Sequence, residues 1–203
     1  MKYIIDFDDF ADSNNCLPQL LKIKEILPNF KATLFTIPQK ISDDLITEIL
    51  KYNWLQMALH GHFHNDNYEF ANLTKEEAHN YLLEDYNFVY YVKGFKSPGW
   101  QINIETMEIL KHLDFWVAVQ YSDGRLNGDP NGKYQPAVIE GLKYYAFNEL
   151  PEGYKAIHGH TWECCGNSIY KLYDQIINLP KDSEFIFIND YVNENFPMRP
   201  ATA

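Results

Sequence analysis

Short apolar runs bounded by Gly, Pro, Asn and Asp recur along this chain, and segments with apolar residues at helical spacing lie between most of them. The runs predict strands over 3–7, 32–37, 55–59, 92–95, 115–120, 143–147, 154–157 and 184–188. Several are continuously apolar rather than alternating, the pattern of strands buried on both faces in a parallel sheet. Helical periods predict helices over 18–27, 43–51, 75–91, 104–112 and 168–179. Their ends carry stop and start signals. Thr74-Lys75-Glu76-Glu77 reads as a capping box, Asn103 as an N-cap, and Pro180 closes the last predicted helix.

Strand and helix alternate with no Ser/Gly/Pro linker or break in composition, which predicts one domain over 1–203, either a doubly wound sheet or a barrel of β/α units. The barrel is the reading adopted. Two segments fall outside the pattern. Residues 121–141, rich in Asn, Asp, Gly and Pro, form either a substrate-facing loop or a surface insertion, and the tail 189–203 is expected at the surface or frayed.

Composition narrows the function. A chain of 203 residues that is 46% hydrophobic and 16% aromatic has a globular composition, which excludes disorder as a whole-chain reading. Seventeen basic against 28 acidic residues give a net charge of −11, a poor match for nucleic acid or an anionic membrane. The first residues, Met1-Lys2-Tyr3-Ile4-Ile5-Asp6, do not read as an export signal, and no apolar run is long enough to span a bilayer. Three cysteines, two of them adjacent at Cys164-Cys165, suit reduced thiols, so a soluble cytoplasmic protein is expected.

Three places carry candidate chemistry. In Ile4-Ile5-Asp6-Phe7-Asp8-Asp9-Phe10 an apolar strand runs into three carboxylates, where β/α folds build active sites. Adjacent Asp8 and Asp9 repel unless a cation or a shared proton relieves them. Leu59-His60-Gly61-His62-Phe63-His64 follows another strand, and three histidines in five residues point to a metal. If the chain turns helical there, His60 and His64 share a face; if it stays extended, His60, His62 and His64 do. A third strand ends in Ile157-His158-Gly159-His160, either histidine being a ligand or a general acid, whereas His79 and His112 read as ordinary helix residues. A hydrolytic metal site needs about three protein ligands, a base and an acid. Asp9, His60 and His64 could hold the ion, Asp8 could be the base, and His158 or His160 the acid.

The order of these motifs resembles the polysaccharide deacetylases, metal-dependent carbohydrate esterases with a NodB-homology domain, over most of the chain. Asp6-Phe7-Asp8-Asp9-Phe10 resembles that family's Thr-Phe-Asp-Asp-Gly, and Lys31-Ala32-Thr33-Leu34-Phe35-Thr36 its following strand. His60-Gly61-His62-Phe63-His64 is similar to its His-Ser/Thr-x-x-His, with Gly61 replacing the hydroxyl residue. Phe95-Lys96-Ser97-Pro98-Gly99-Trp100 resembles its Arg-x-x-Pro motif with Lys96 where Arg is expected, and Lys cannot make Arg's two-pronged contact with a carboxylate. Of the fourth motif only Asp123 survives, and Ile157-His158 fits the last one best, with His160 the alternate.

The resemblance implies a deformed seven-stranded β/α barrel and a divalent metal, most commonly zinc with cobalt or nickel as alternatives. It implies hydrolysis of an N- or O-acetyl group on an amino sugar or other small acylated substrate. It would make Asp8 the base, Asp9, His60 and His64 the ligands, and His158 the acid, with Lys96 beside the base and Asp123 a tuning residue. Pro98, Trp100, Trp162 and His160 are expected against the substrate, and Trp54 and Trp116 in the core. Two other readings stay open: a non-catalytic carbohydrate-binding member of the same fold, and a metallophosphoesterase suggested by Gly61-His62-Phe63-His64 and Gly159-His160-Thr161.

Overall fold

The computed structural model of the protein describes residues 1–86, 89–122, 125–126, 139–163 and 166–196. Seven parallel strands form a curled sheet in the order β9 (Tyr154–His160), β1 (Lys2–Phe10), β2 (Ala32–Thr36), β3 (Leu55–His60), β4 (Tyr91–Lys96), β5 (Trp116–Val119) and β8 (Lys143–Ala146). A short strand, β10 (Glu184–Ile186), pairs with the first residues of β1 on the β2 side. Among the described residues no pairing joins β8 to β9, so the barrel is open there. Two-residue strands β6 (Tyr121–Ser122) and β7 (Arg125–Leu126) pair antiparallel apart from this sheet.

Period-two alternation sorts each strand between two interiors. Outward, Tyr3, Ile5 and Phe7 of β1, Leu34 of β2 and Leu59 of β3 meet the apolar faces of the surrounding helices: α1 (Leu17–Ile26), α2 (Asp43–Ile49), α4 (Lys75–Asp85), α5 (Ile104–His112) and α6 (Ile169–Ile177). Inward, Ile4, Phe35, Ala58, Trp116, Ala118 and Tyr145 pack on one another. Gly94 makes room for this, because a Cβ there would lie 2.0 Å from the Trp116 ring. The amino end of the barrel is closed by α7 (Ile188–Asn195), which inserts Ile188, Tyr191 and Val192 and accepts a hydrogen bond from Trp116 Nε1 at Asn189 Oδ1. Apolar side chains fill the amino end, so the polar inward residues Asp6, Asp8, His60, Lys96 and His158 collect towards the carboxyl end.

Several expectations need correction. The tail is not frayed over 188–195, since Ile188, Tyr191 and Val192 are buried at helical spacing; residues 197–203 lie outside the described residues. The last helix is therefore α7, not the one closed by Pro180. Helix α4 stops at Asp85 rather than 91, because Asp85 turns inward and the β-forming Tyr91-Val92 starts β4. Its capping box on Thr74 and the Asn103 cap of α5 are present as expected. A four-residue helix, α3 (Glu69–Asn72), escaped the periodic signal. Strands β1 and β9 continue through their carboxylates and histidines instead of ending before them. Among the described residues no helix is long and apolar enough to cross a membrane.

Candidate active site

Strict alternation would send Asp6 and Asp8 inward and Asp9 outward. A register shift between Phe7 and Phe10 prevents this: Asp9 takes φ 66°, and the bulge re-aims its carboxylate beside that of Asp8. A left-handed backbone is unusual for a residue other than Gly and costs free energy, which Asn14 offsets by donating from Nδ2 to the Asp9 carbonyl at 3.1 Å. Asp6, Asp8 and Asp9 are all buried.

Asp9 Oδ1 lies 3.4 Å from His60 Nε2 and 3.1 Å from His64 Nε2. Ligands about 2.0–2.1 Å from one tetrahedral centre stand about 3.3 Å apart, so the three atoms have the spacing of a zinc-type site. Their chemistry fits too. His60 Nδ1 is 3.0 Å from the Lys96 carbonyl oxygen, which can only accept, so Nδ1 carries the hydrogen and neutral His60 offers a bare Nε2 to an acceptor-only carboxylate. Only a cation or an extra proton reconciles the two. In the protein alone, burial opposes charge on both groups, yet Asp8 and Asp9 raise the His60 pKa, and hydrogen bonds from His60 and His64 hold Asp9 well below the carboxylate range.

The loop carrying these histidines is neither helical nor extended. Gly61 has φ 68° and His64 φ 47°, and the turn puts His60 and His64 together while His62 points away. Far from ligating a metal, His62 is buried against Asp85, with its Nδ1 2.8 Å from the carboxylate, and stacks on Tyr81. Glu69 of α3 holds the loop from beneath, accepting backbone hydrogen bonds from His62 and His64 at 3.1 Å and Phe63 at 2.8 Å. Glu69 and Pro98 also explain Gly61, where a Cβ would lie 2.5 Å from Glu69 Oε2.

Across Asp8 lies a second group. The buried Lys96 Nζ is 2.7 Å from Asp8 Oδ1 and 3.4 Å from Asp6 Oδ1, so one ammonium bridges two carboxylates. The ring of Trp100 covers that ammonium at 3.8 Å and stacks on Phe147. His158 places Nδ1 2.7 Å from Asp6 Oδ1 and Nε2 3.8 Å from Asp8 Oδ2, an oxygen that is also 3.9 Å from His60 Nε2. Burial raises the Asp6 pKa, but Lys96 and His158 outweigh it and keep Asp6 ionised.

Of the residues expected against a substrate, Pro98 is buried against the Gly61 turn, and Trp100 is half-buried with its ring over the Lys96 ammonium. Trp162 is exposed and donates from Nε1 to Asp9 Oδ2 at 2.8 Å, so it also orients a candidate ligand. His160 lies 3.3 Å from Asn167 Oδ1, and burial lowers its pKa. Trp54 and Trp116 are core residues, as expected. Asp123 and Cys164-Cys165 lie outside the described residues. Sequence reasoning counted Asp6 among the candidate carboxylates but gave it no role, and it missed Glu69 and Tyr145, whose hydroxyl donates to Asp6 Oδ2. Its alternation with Asp8 could have placed Asp6 on the inward face; Tyr145 and Glu69 offered no such signal.

No family model and no curated protein matches the sequence. Solved structures do match its shape. A family 4 acetyl xylan esterase from Clostridium thermocellum, in complex with cobalt, is 16% identical with a TM-score of 0.61, over 94% of this chain and 89% of that one. A peptidoglycan N-acetylglucosamine deacetylase is 16% identical with a TM-score of 0.57, over 93% and 86%. The fold is that of these esterase and deacetylase domains. It matches their deformed β/α barrel. A CE4 family pseudoenzyme from Bacillus anthracis has the same fold, at 15% identity and a TM-score of 0.58, over 95% of this chain and 66% of that one, so the fold alone does not establish turnover.

Proposed function

We propose that the protein is a divalent-metal-dependent deacetylase acting on an acetylated amino sugar or other acylated carbohydrate. The observation that carries this reading is Asp8 Oδ2, which lies between two imidazole Nε2 atoms, one on the candidate metal side and one on the other. Asp9, His60 and His64 would hold the ion. Bound there, a divalent ion supplies Lewis acidity, polarising an acyl carbonyl and lowering the pKa of water. It also suits the charge: three buried carboxylates against one lysine leave two negative charges.

Asp8 takes the proton of the attacking water. Lys96 fixes the other Asp8 oxygen, so Oδ2 is the one aimed at the cleft, and a single ammonium replaces Arg's planar fork by bridging Asp6 and Asp8. His158 Nε2, on the far side of Asp8, protonates the departing nitrogen or oxygen. Trp162, exposed beside Asp9, offers a ring on which a sugar can stack. The carboxylates and imidazoles this chemistry calls for lie close together around Asp8 and Asp9, which supports turnover over a purely binding role.

The test is acetate release from acetylated xylan and N-acetylated amino-sugar oligomers by zinc- or cobalt-loaded protein, beside Asp8→Asn. Release by the parent and about a hundredfold less by the variant is expected. Sugar binding without release of acetate from any substrate would instead support a binding module.

A further inference from the structure

The reaction needs a histidine with its proton on a particular nitrogen, and which ring nitrogen carries it is set by the hydrogen bond the other makes. Asp6 supplies one. Its carboxylate is fully buried and ionised, so it only accepts hydrogen bonds, and His158 Nδ1 meets Oδ1 at 2.7 Å. Tyr145 Oη donates to Oδ2, and Lys96 Nζ reaches Oδ1 at 3.4 Å. Lys96 Nζ is also 3.2 Å from His158 Nδ1, but once Nδ1 carries hydrogen both are donors, and they share the Asp6 oxygen. The parallel register sets this up by pairing Asp6 with His158 across β1 and β9. The rings of Trp100 and Phe147, each within 5.3 Å of the imidazole centroid, hold its plane.

We infer that Asp6 is the positioning residue of the site: by holding hydrogen on His158 Nδ1 it leaves Nε2, the nitrogen on the Asp8 side, as the one that takes up and delivers the reacting proton. This rests on the role proposed for His158 and adds a residue outside the chemistry assigned to Asp8 and the metal ligands. When the ring takes up a proton from solvent at Nε2, the ionised Asp6 stabilises the imidazolium. When that N–H bond breaks and the proton joins the leaving nitrogen or oxygen, the ring returns to its neutral Nδ1–H form. The rival account makes Asp6 only a counter-charge for Lys96, with no hold on the imidazole.

Long-range nitrogen-15 NMR of the histidine rings in zinc-loaded protein separates the two, with His158 assigned by comparison with His158→Gln. In its neutral form, His158 is expected to show a protonated Nδ1 and a bare Nε2. A bare Nδ1 overturns the inference, and this reading needs no variant of Asp6 to fold. Asp6→Asn is expected to abolish that tautomer preference and lower kcat about a hundredfold, with KM within about twofold and zinc still bound. Unchanged His158 signals in Asp6→Asn would also overturn it, by leaving Asp6 with the counter-charge role alone. If the parent releases no acetate from any acylated sugar, the proposed activity fails while the tautomer measurement still decides the place of Asp6.

Discussion

The two sides of the cleft that meet at Asp8 are built in different ways. Asp6, Asp8, Lys96 and His158 hang from parallel strands, Asp6 opposite His158 in the unbroken β1–β9 register and Lys96 opposite His60 just beyond a register shift between Met57 and Leu59. Asp9 and His64, on the other side, occupy left-handed backbone and owe their positions to a bulge and a loop. The strand-borne side is fixed by the sheet itself. The other depends on contacts made one at a time: Asn14 on the Asp9 carbonyl, Lys40 on the His64 carbonyl, Trp162 on the Asp9 carboxylate and Glu69 on three loop amides. Damage to the first should therefore register as lost stability and proton transfer, and damage to the second as lost metal affinity.

The largest effect expected is from His64→Ala, which removes a ligand and with it several kcal/mol of charge stabilisation, about a thousandfold in turnover. Acetate release at saturating zinc checks it. Lys96→Met leaves Asp6 and Asp8 buried without their cation and should cost about 3–5 kcal/mol of stability, read from urea unfolding. Glu69→Ala strands three loop amides and should weaken zinc binding about 10–100-fold by calorimetry while leaving the strand-borne network intact. Trp162→Phe removes one hydrogen bond from Asp9 and should weaken zinc about tenfold at most.

Acidity sharpens the same contrast. The Asp6 pKa is lowered on folding, so its stabilising effect is present above the unfolded value of about 4 and is lost as pH falls through the folded one. Metal-free protein should therefore lose stability in acid below about pH 4, and Asp6→Asn should flatten that limb of a urea-midpoint profile. The neighbouring Asp8 and Asp9 carboxylates raise the His60 pKa above that of an ordinary histidine, so the metal must displace a proton there. Zinc affinity should climb by about tenfold per pH unit through neutrality and level off once His60 is deprotonated.

The same division decides how much the sequence alone reveals. Buried strands announce themselves as apolar runs, and every strand of the main sheet was expected within a few residues of its place. Helix α5 was expected at its observed bounds because Asn103 caps it and its apolar period is regular. What escaped depends on distant partners. Nothing local ends α4 at Asp85 except the burial of that carboxylate against His62, a residue that read as a possible metal ligand. Asp6 stood among the three carboxylates of the first strand without a role of its own, because Lys96, Tyr145 and His158 are far along the chain. Ile188 read as the end of the last strand, and Tyr191 and Val192, among Asn, Asp and Glu, resembled a solvated tail rather than part of a plug.

The central claim, that Asp9, His60 and His64 form a metal centre, is tested most directly by titrating metal-free protein with cobalt and following its visible spectrum, beside His60→Ala/His64→Ala. One saturable equivalent per chain in the parent and none in the variant is the predicted result. No saturable uptake, or uptake indifferent to both histidines, would contradict it.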